Sequence, residues 1–304
     1  MFLYDHNSIK PLDPSAISFG NFEVQWYGIF IVTGAIIALL WGLKVAKRLK
    51  VDQDFLIDGF VWGLVLGVIG ARLWYVIFEW DAFKNDLLSI IGIVRDSNGK
   101  IIDWELSGLA IHGAFIAAAI FVIFYCKKKK VSVFKVAELV APGFLVGQTL
   151  GRWGNFFNQE AHGSLVPGAT LDAQRAWLEN LHLPDFIINQ MYITRISDVA
   201  PEVGYYHPTF LYESLWNFLG IILIIIFRKF VKKYWVGDAL FFYLIWYSTG
   251  RFFIEFLRTD PLVAGGIRVA QATSVVLFTI GLVGFILRRK YQVYPVSFMN
   301  FNEE

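Results

Sequence analysis

The sequence predicts an all-α polytopic membrane protein with seven transmembrane helices, a small external head and a short external β-hairpin. Three observations carry that reading. Of 304 residues, 56% are hydrophobic and 17% charged, whereas a soluble domain carries roughly half and roughly a quarter. The apolar residues gather in seven blocks, each close to the ~20 residues that cross a bilayer. Lys and Arg fall unevenly between those blocks.

The blocks run approximately over residues 25–43, 57–78, 109–126, 134–153, 209–228, 237–257 and 269–288 of one integral membrane domain, 1–304. Lys44, Lys47, Arg48 and Lys50 follow the first block. Lys127 to Lys130 and Lys135 follow the third, Arg228, Lys229, Lys232 and Lys233 the fifth, and Arg288, Arg289 and Lys290 the seventh. Cytoplasmic loops are the ones enriched in Lys and Arg, so these four places are expected inside. An odd number of spans then puts the N-terminus outside and the C-terminus in the cytoplasm.

The long loops are external on this topology. In residues 79–108, Asn98-Gly99 stands between β-prone runs and reads as a hairpin turn. Residues 154–208 contain Pro167, Pro184 and Pro201 and are expected to fold as a head with one short helix over Leu171 to Leu181. Residues 1–22 lack the charged, apolar and small-residue regions of a cleavable signal peptide, and are expected to form a short amphipathic cap on the membrane surface. The two halves show no matched broken helices, which an inverted-repeat transporter requires. A single cysteine, Cys126, excludes an internal disulfide and a cysteine-based metal cluster. A net charge of +2 gives no case for nucleic-acid binding.

Several ionisable residues fall inside or at the end of the apolar blocks: Arg72, His112, Arg152, Glu213, Arg251, Glu255 and Arg258. A charge at mid-membrane costs about 2.5–3.5 kcal/mol on insertion scales, which marks such residues as functional candidates. By the topology above, all lie toward the outer face. Tyr247, Arg251, Glu255 and Arg258 are spaced 4, 4 and 3, one stripe of a helix. That stripe is either a self-neutralising ladder or an anion site whose arginines Glu255 holds, and the membrane cost favours the anion site. Arg72 is either a functional charge or an arginine snorkelling to the headgroups. His112, beside Gly113 at a helix start, is either a hydrogen-bonded core residue or a proton acceptor near neutral pH. Tyr27, in Trp26-Tyr27-Gly28, reads as an interfacial aromatic.

The densest stretch is Gly151-Arg152-Trp153-Gly154-Asn155-Phe156-Phe157-Asn158-Gln159-Glu160-Ala161-His162-Gly163. An ordinary helix exit needs one glycine and a few polar groups. Here Arg152, Asn155, Asn158 and Glu160 alternate with aromatics, and Gly154 and Gly163 permit tight turns or close approach. His162 reads as a solvated loop residue. With five scattered histidines and no H-E-x-x-H pattern, no metal is expected.

This stretch fills every fixed position of G-R-x-G-N-F-x-N-x-E-x-x-G and resembles the signature of bacterial prolipoprotein diacylglyceryl transferases. His207-Pro208-Thr209-Phe210-Leu211-Tyr212-Glu213 resembles the family's H-P-[TS]-x-L-Y-E segment, and Gly250 to Arg258 its G-R-F-x-x-E-x-x-R segment. Tyr27 and His112-Gly113 match the family's tyrosine and His-Gly pair. The resemblance implies transfer of the diacylglyceryl group of phosphatidylglycerol to the lipobox cysteine thiol of a prolipoprotein, at the outer face of the bacterial cytoplasmic membrane, without a cofactor. It implies a catalytic set of His112 as base, Arg152 and Arg251 as phosphate clamps, and Tyr27. Asn155, Glu160, Gly163, Tyr247 and Glu255, with Arg152, are implied in substrate binding, and Arg258 in an entrance gate. Competing lipid enzymes fit poorly. Asp54 and Asp58-Gly59 lack the spacing of metal-binding CDP-alcohol phosphotransferases, and no Gly-x-Ser-Gly nucleophile is present.

Overall fold

The structure is a computed structural model that describes residues 4–20, 22–96, 100–104 and 108–301. In chain order its elements are β1 (Ser15–Phe19), β2 (Phe22–Gln25), α1 (Trp26–Arg48), α2 (Gln53–Phe78), α3 (Trp80–Phe83), β3 (Ile93–Arg95), β4 (Ile101–Trp104), α4 (Ile111–Lys129) and α5 (Val133–Phe157). There follow α6 (Leu171–Glu179), α7 (Asp185–Gln190), β5 (Tyr192–Ile193), β6 (Gly204–Tyr205), α8 (Thr209–Phe230), α9 (Asp238–Ile254), β7 (Val263–Ala264), β8 (Ile267–Arg268) and α10 (Val269–Lys290). Among the described residues, five helices, α1, α2, α5, α8 and α10, are long and apolar enough to cross a membrane. The chain is a mostly helical, polytopic membrane protein. The two other apolar blocks form α4 and α9, of 19 and 17 residues.

The chain divides into two compact units, Val45–Val136 and the remainder. In the Val45–Val136 unit, α2 starts at Asp52, whose carboxylate accepts from the Asp54 N–H at 3.1 Å and so satisfies one of the free donors of the helix end. Gly70 and Gly113 let the backbones of α2 and α4 touch. A Cβ on Gly70 would lie 2.6 Å from the Gly113 carbonyl oxygen, the small-residue crossing typical of membrane helices. Arg72 does not snorkel. It is buried, donates to the carbonyls of Ser89 (2.6 Å), Ile90 (2.8 Å) and Gly108 (3.2 Å), and lies 5.0 Å from the Phe83 ring. It ties together three carbonyls of the 79–108 loop, of which Ser89's also accepts from the Gly92 N–H at 3.0 Å. In that loop β3 and β4 pair antiparallel, Ile93 with Trp104 and Val94 with Asp103. The expected turn residues Asn98 and Gly99 lie outside the described residues.

In the other unit, α1 and α5 meet along a small-residue seam. A Cβ on Gly34 would lie 3.2 Å from the Gly147 Cα, and one on Gly143 3.2 Å from the Ala38 Cβ. Leu145, Val146, Ile221, Ile224, Ala239 and Tyr243 form the core among α5, α8 and α9. The block expected to end at residue 153 continues helical to Phe157, so α5 carries the first half of the glycine-rich stretch.

The head differs from expectation in its helices. Its first helix stops at Glu179, and a second short helix, α7, begins at Asp185 after Pro184. Proline fixes φ and suits a helix start but not an interior. The described part of residues 1–22, expected to form a short cap, has its own local structure. It contains a 3₁₀ turn over His6–Ser8 and most of the β1–β2 hairpin. The turn packs on the head: His6 contacts the Tyr205 hydroxyl (2.9 Å) and the Asp172 carboxylate (3.1 Å), and the Arg175 guanidinium lies 3.7 Å from the centre of the Tyr4 ring.

At the far end of α5, the fully buried Glu138 collects four donors. They are Arg228 Nε (2.7 Å), the Tyr234 hydroxyl (2.8 Å) and the N–H groups of Gly237 (2.8 Å) and Ala239 (3.2 Å). It thereby caps α9. Asp238 pairs with Arg288 at 2.6 Å and with Arg289. The chain after α10 then bonds back onto the α8–α9 connection, Val236 N–H to the Val296 carbonyl and Phe298 N–H to the Tyr234 carbonyl.

Candidate active site

Three helix ends of one unit bring the polar motifs together. α5 delivers Arg152, α8 delivers Glu213 from its second turn, and α9 delivers Arg251 in its last turn. A cation near a helix C-terminus is favoured by the helix dipole. Gly154 sets the approach of α1, because a Cβ there would collide with Tyr27. Tyr27 therefore stands against the α5 end that carries Arg152.

Glu213 is the hub. It is 4% exposed, and its Oε2 lies 2.5 Å from Arg152 Nη2 while its Oε1 accepts from Arg251 Nη1 at 2.8 Å. Arg258 Nη1 stands 3.9 Å from the same Oε1. Arg251 Nη2 makes a second ion-pair contact, 2.7 Å, with Glu255 Oε2, although Glu255 Oε2 accepts no aligned hydrogen bond. Arg152 Nη1 donates to Asn155 Oδ1 (3.2 Å), and the Asn155 amide donates in turn to Glu160 Oε1 (2.8 Å), which also accepts from Asn158 (3.3 Å). The chain Glu160–Asn155–Arg152–Glu213–Arg251–Glu255 is thus continuous.

Exposure within the cluster is graded. The side chains of Arg152 and Arg251 are 20% and 15% exposed, against 4% for Glu213 and 1% for Glu255. The carboxylates lie behind and the guanidinium groups in front. Each of these two arginines uses two of its five N–H donors in the contacts above, so donors remain to meet an anion. Tyr247 lies one turn before Arg251 on α9.

Gly163 joins the three motif segments through backbone. Its N–H donates to the His207 carbonyl (2.9 Å), it forms an antiparallel bridge with Arg258, and the next N–H, of Ser164, donates to the Leu257 carbonyl (2.7 Å). A Cβ at Gly163 would sit 2.7 Å from His207 Cβ and 3.0 Å from the Leu257 oxygen. Arg258 is not part of the helical stripe its spacing predicts. α9 ends at Ile254, and Arg258 makes a two-pronged contact with Asp260 at 2.9 and 2.7 Å. Beyond Ile254 the chain continues through tighter turns, Leu257 N–H to the Ile254 carbonyl and Arg258 N–H to the Glu255 carbonyl, and the bridge to Gly163 then ends the helical path.

His162 is a second correction. It is buried rather than solvated, with Nδ1 3.0 Å from the Gly163 carbonyl oxygen and its ring 4.6 Å from Tyr206. His207 packs edge-on against Trp177 and contacts the Tyr212 hydroxyl, and burial lowers its pKa below the usual imidazole value. His112 belongs to the Val45–Val136 unit, where it is an exposed residue in the first turn of α4. Arg152, Asn155, Glu160, Gly163, Tyr247, Arg251, Glu255 and Arg258 all belong to the other unit, as does Tyr27. Asn158 and Asp260 join the cluster without having been assigned a role from sequence; only the fold reveals their partners. Among the described residues, no three His, Cys, Asp or Glu side chains gather as metal ligands.

Fold and site define a polytopic helical membrane protein that keeps arginines and carboxylates paired at one end of a helix cluster. The chain belongs to the prolipoprotein diacylglyceryl transferase family, whose model matches residues 14–287. It is 44% identical over 293 residues to the phosphatidylglycerol–prolipoprotein diacylglyceryl transferase of Listeria monocytogenes serovar 1/2a, covering 96% of this chain and 95% of the relative. It is 45% identical over 283 residues to the protein of that name from Bacillus cereus strain G9842, covering 93% and 94%.

Proposed function

We propose that this protein transfers the diacylglyceryl group of phosphatidylglycerol to the lipobox cysteine of a prolipoprotein. The observation that carries the reading is the pair of half-buried guanidinium groups, Arg152 and Arg251, held from behind by Glu213. In the reaction the substrate thiol gives up its proton, since the thiolate is the nucleophile. Sulfur attacks the diacylglyceryl carbon that bears the phosphate oxygen. That carbon–oxygen bond breaks with its electron pair, and glycerol phosphate departs as an anion. Positive charge aimed at the departing oxygens lowers the barrier, and a planar arginine fork suits phosphate.

In this reading Arg152 and Arg251 clamp the phosphate, Glu213 and Glu255 orient them, and Asn155 and Glu160 hold Arg152 from the other side. Tyr27 and Tyr247 line the same end, Arg258 guards its edge, and His112 accepts the thiol proton. The protein crosses the bacterial cytoplasmic membrane seven times, α4 and α9 included, with its N-terminus, its head and its β3–β4 hairpin outside. The basic runs after α1, α4, α8 and α10 support that topology.

The test is a reaction of purified protein with phosphatidylglycerol and a lipobox peptide holding one cysteine, EDTA present, read by peptide mass. A diacylglyceryl-sized gain is expected from the natural protein. Arg152→Ala, still folded, is expected to lower the rate by at least about a hundredfold, the loss typical of one preorganised charge-stabilising donor. No gain from the folded natural protein would refute the function; a gain that survives Arg152→Ala would refute the site.

A further inference from the structure

One to two helical turns deeper than the arginines, α5, α8 and α9 carry a second polar level. Gln148 stands four residues before Arg152, Asn217 four after Glu213, and Tyr243 eight before Arg251. Because α8 runs opposite to α5 and α9 relative to the cluster, all three steps lead away from it. The helices touch at this level. The Ser214 hydroxyl donates to the Thr149 carbonyl (3.0 Å), and Gln148 Nε2 donates to the Tyr243 hydroxyl (3.0 Å). Asn217 lies on the buried face of α8, between Ser214 and Ile221, and is 2% exposed.

Two oxygens of this level have no protein partner: Gln148 Oε1 and Asn217 Oδ1. A buried polar atom without a partner costs about 1–3 kcal/mol, and lipid supplies no compensating hydrogen bond. Leu145, Ile221 and Tyr243 pack beside them. Both orphans are amide oxygens, which only accept. That chemistry discriminates among the reactants. Ester carbonyls and phosphate oxygens are acceptors too and cannot serve them, whereas the headgroup glycerol brings free O–H donors. One turn of helix, about 5.4 Å, is within reach of a three-carbon headgroup whose phosphate sits at the arginines.

We propose that Gln148 and Asn217 bind the free hydroxyls of the headgroup glycerol and make the protein selective for phosphatidylglycerol over phospholipids whose headgroup lacks hydroxyls. The inference rests on the function proposed above. Its test compares phosphatidylglycerol with phosphatidyl-n-propanol of the same acyl chains, each with the lipobox peptide. The natural protein, Gln148→Met, Asn217→Leu and the double variant are measured as kcat/KM. The natural protein should prefer phosphatidylglycerol by at least about tenfold, since a site built for a hydroxyl rejects the analogue lacking it. In the double variant the preference should fall to within about twofold, through loss on phosphatidylglycerol alone. Equal loss on both lipids, as a bound water or a packing role would give, overturns the proposal, and so does an unchanged ratio. Thermal melting in detergent is the second readout. Asn217→Leu removes an orphaned oxygen and should leave the midpoint unchanged or raised, whereas Gln148→Met also loses the bond to Tyr243 and is expected to lower it; a marked drop in Asn217→Leu overturns the proposal. If the natural protein turns over neither lipid, the functional reading itself fails and takes this inference with it.

Discussion

Glu213 receives its arginines from positions 61 residues before it and 38 after it. No local spacing reveals such a hub, although each of the three residues was legible singly as a charge in an apolar block. His162 was misread for the same reason. A histidine between Ala161 and Gly163 resembles any polar loop residue until residues 207 and 257–258 close over the loop. Gly163 shows what the motif glycines do. Gly163→Ala places a methyl 2.7 Å from His207 Cβ and 3.0 Å from a backbone oxygen, and the strand bridge to Arg258 leaves little room to relax. The expected outcome is a loss of about 1–3 kcal/mol from overpacking, seen as a lower melting midpoint in detergent, with activity lost beyond that because Arg258 shifts.

Among the elements, the long helices followed from apolar length, and the ends that carry basic runs from those runs. Their opposite ends did not. α5 runs on to Phe157 and α9 stops at Ile254, because the chain beyond each helix is fixed by contacts distant in sequence. Glu138 is the clearest case. It stands in an apolar block with no sequence signal of its partners, yet it caps α9 and pairs with the buried Arg228. Glu138→Ala leaves that guanidinium without its carboxylate, which is expected to cost about 3–5 kcal/mol, and α9 loses its cap; thermal melting checks it. The head carries a pH response. Burial depresses the His207 pKa in the folded state, while an unfolded histidine titrates near 6.5. The folded head therefore binds fewer protons. Its stability is full above about pH 6.5 and falls as acid drives the unfolded form to take up the proton. The hydrogen-exchange protection factors of residues 154–208, which are corrected for the pH dependence of intrinsic exchange, should fall from about pH 7.5 to about pH 5.5, and His207→Gln should flatten that dependence.

For the whole molecule the open question is which side of the bilayer each end of α8 faces. With 22 residues α8 is about 33 Å long, against about 30 Å of hydrocarbon, so Glu202 before it and Lys233 after it should lie on opposite sides. Both are exposed. The sequence contains one cysteine, Cys126, and it is buried at 1% exposure, so an introduced cysteine reports nearly alone. In intact cells a membrane-impermeant maleimide should label Glu202→Cys and spare Lys233→Cys, and permeabilisation should expose the second. Charge sets the expected orientation: Arg228, Lys229, Lys232 and Lys233 cluster after α8, and translocating four cations is what the positive-inside bias opposes. Labelling of both sites from outside would mean that α8 does not span. The reverse pattern would put the arginine cluster on the cytoplasmic side, where an exported substrate's cysteine would have to react before crossing.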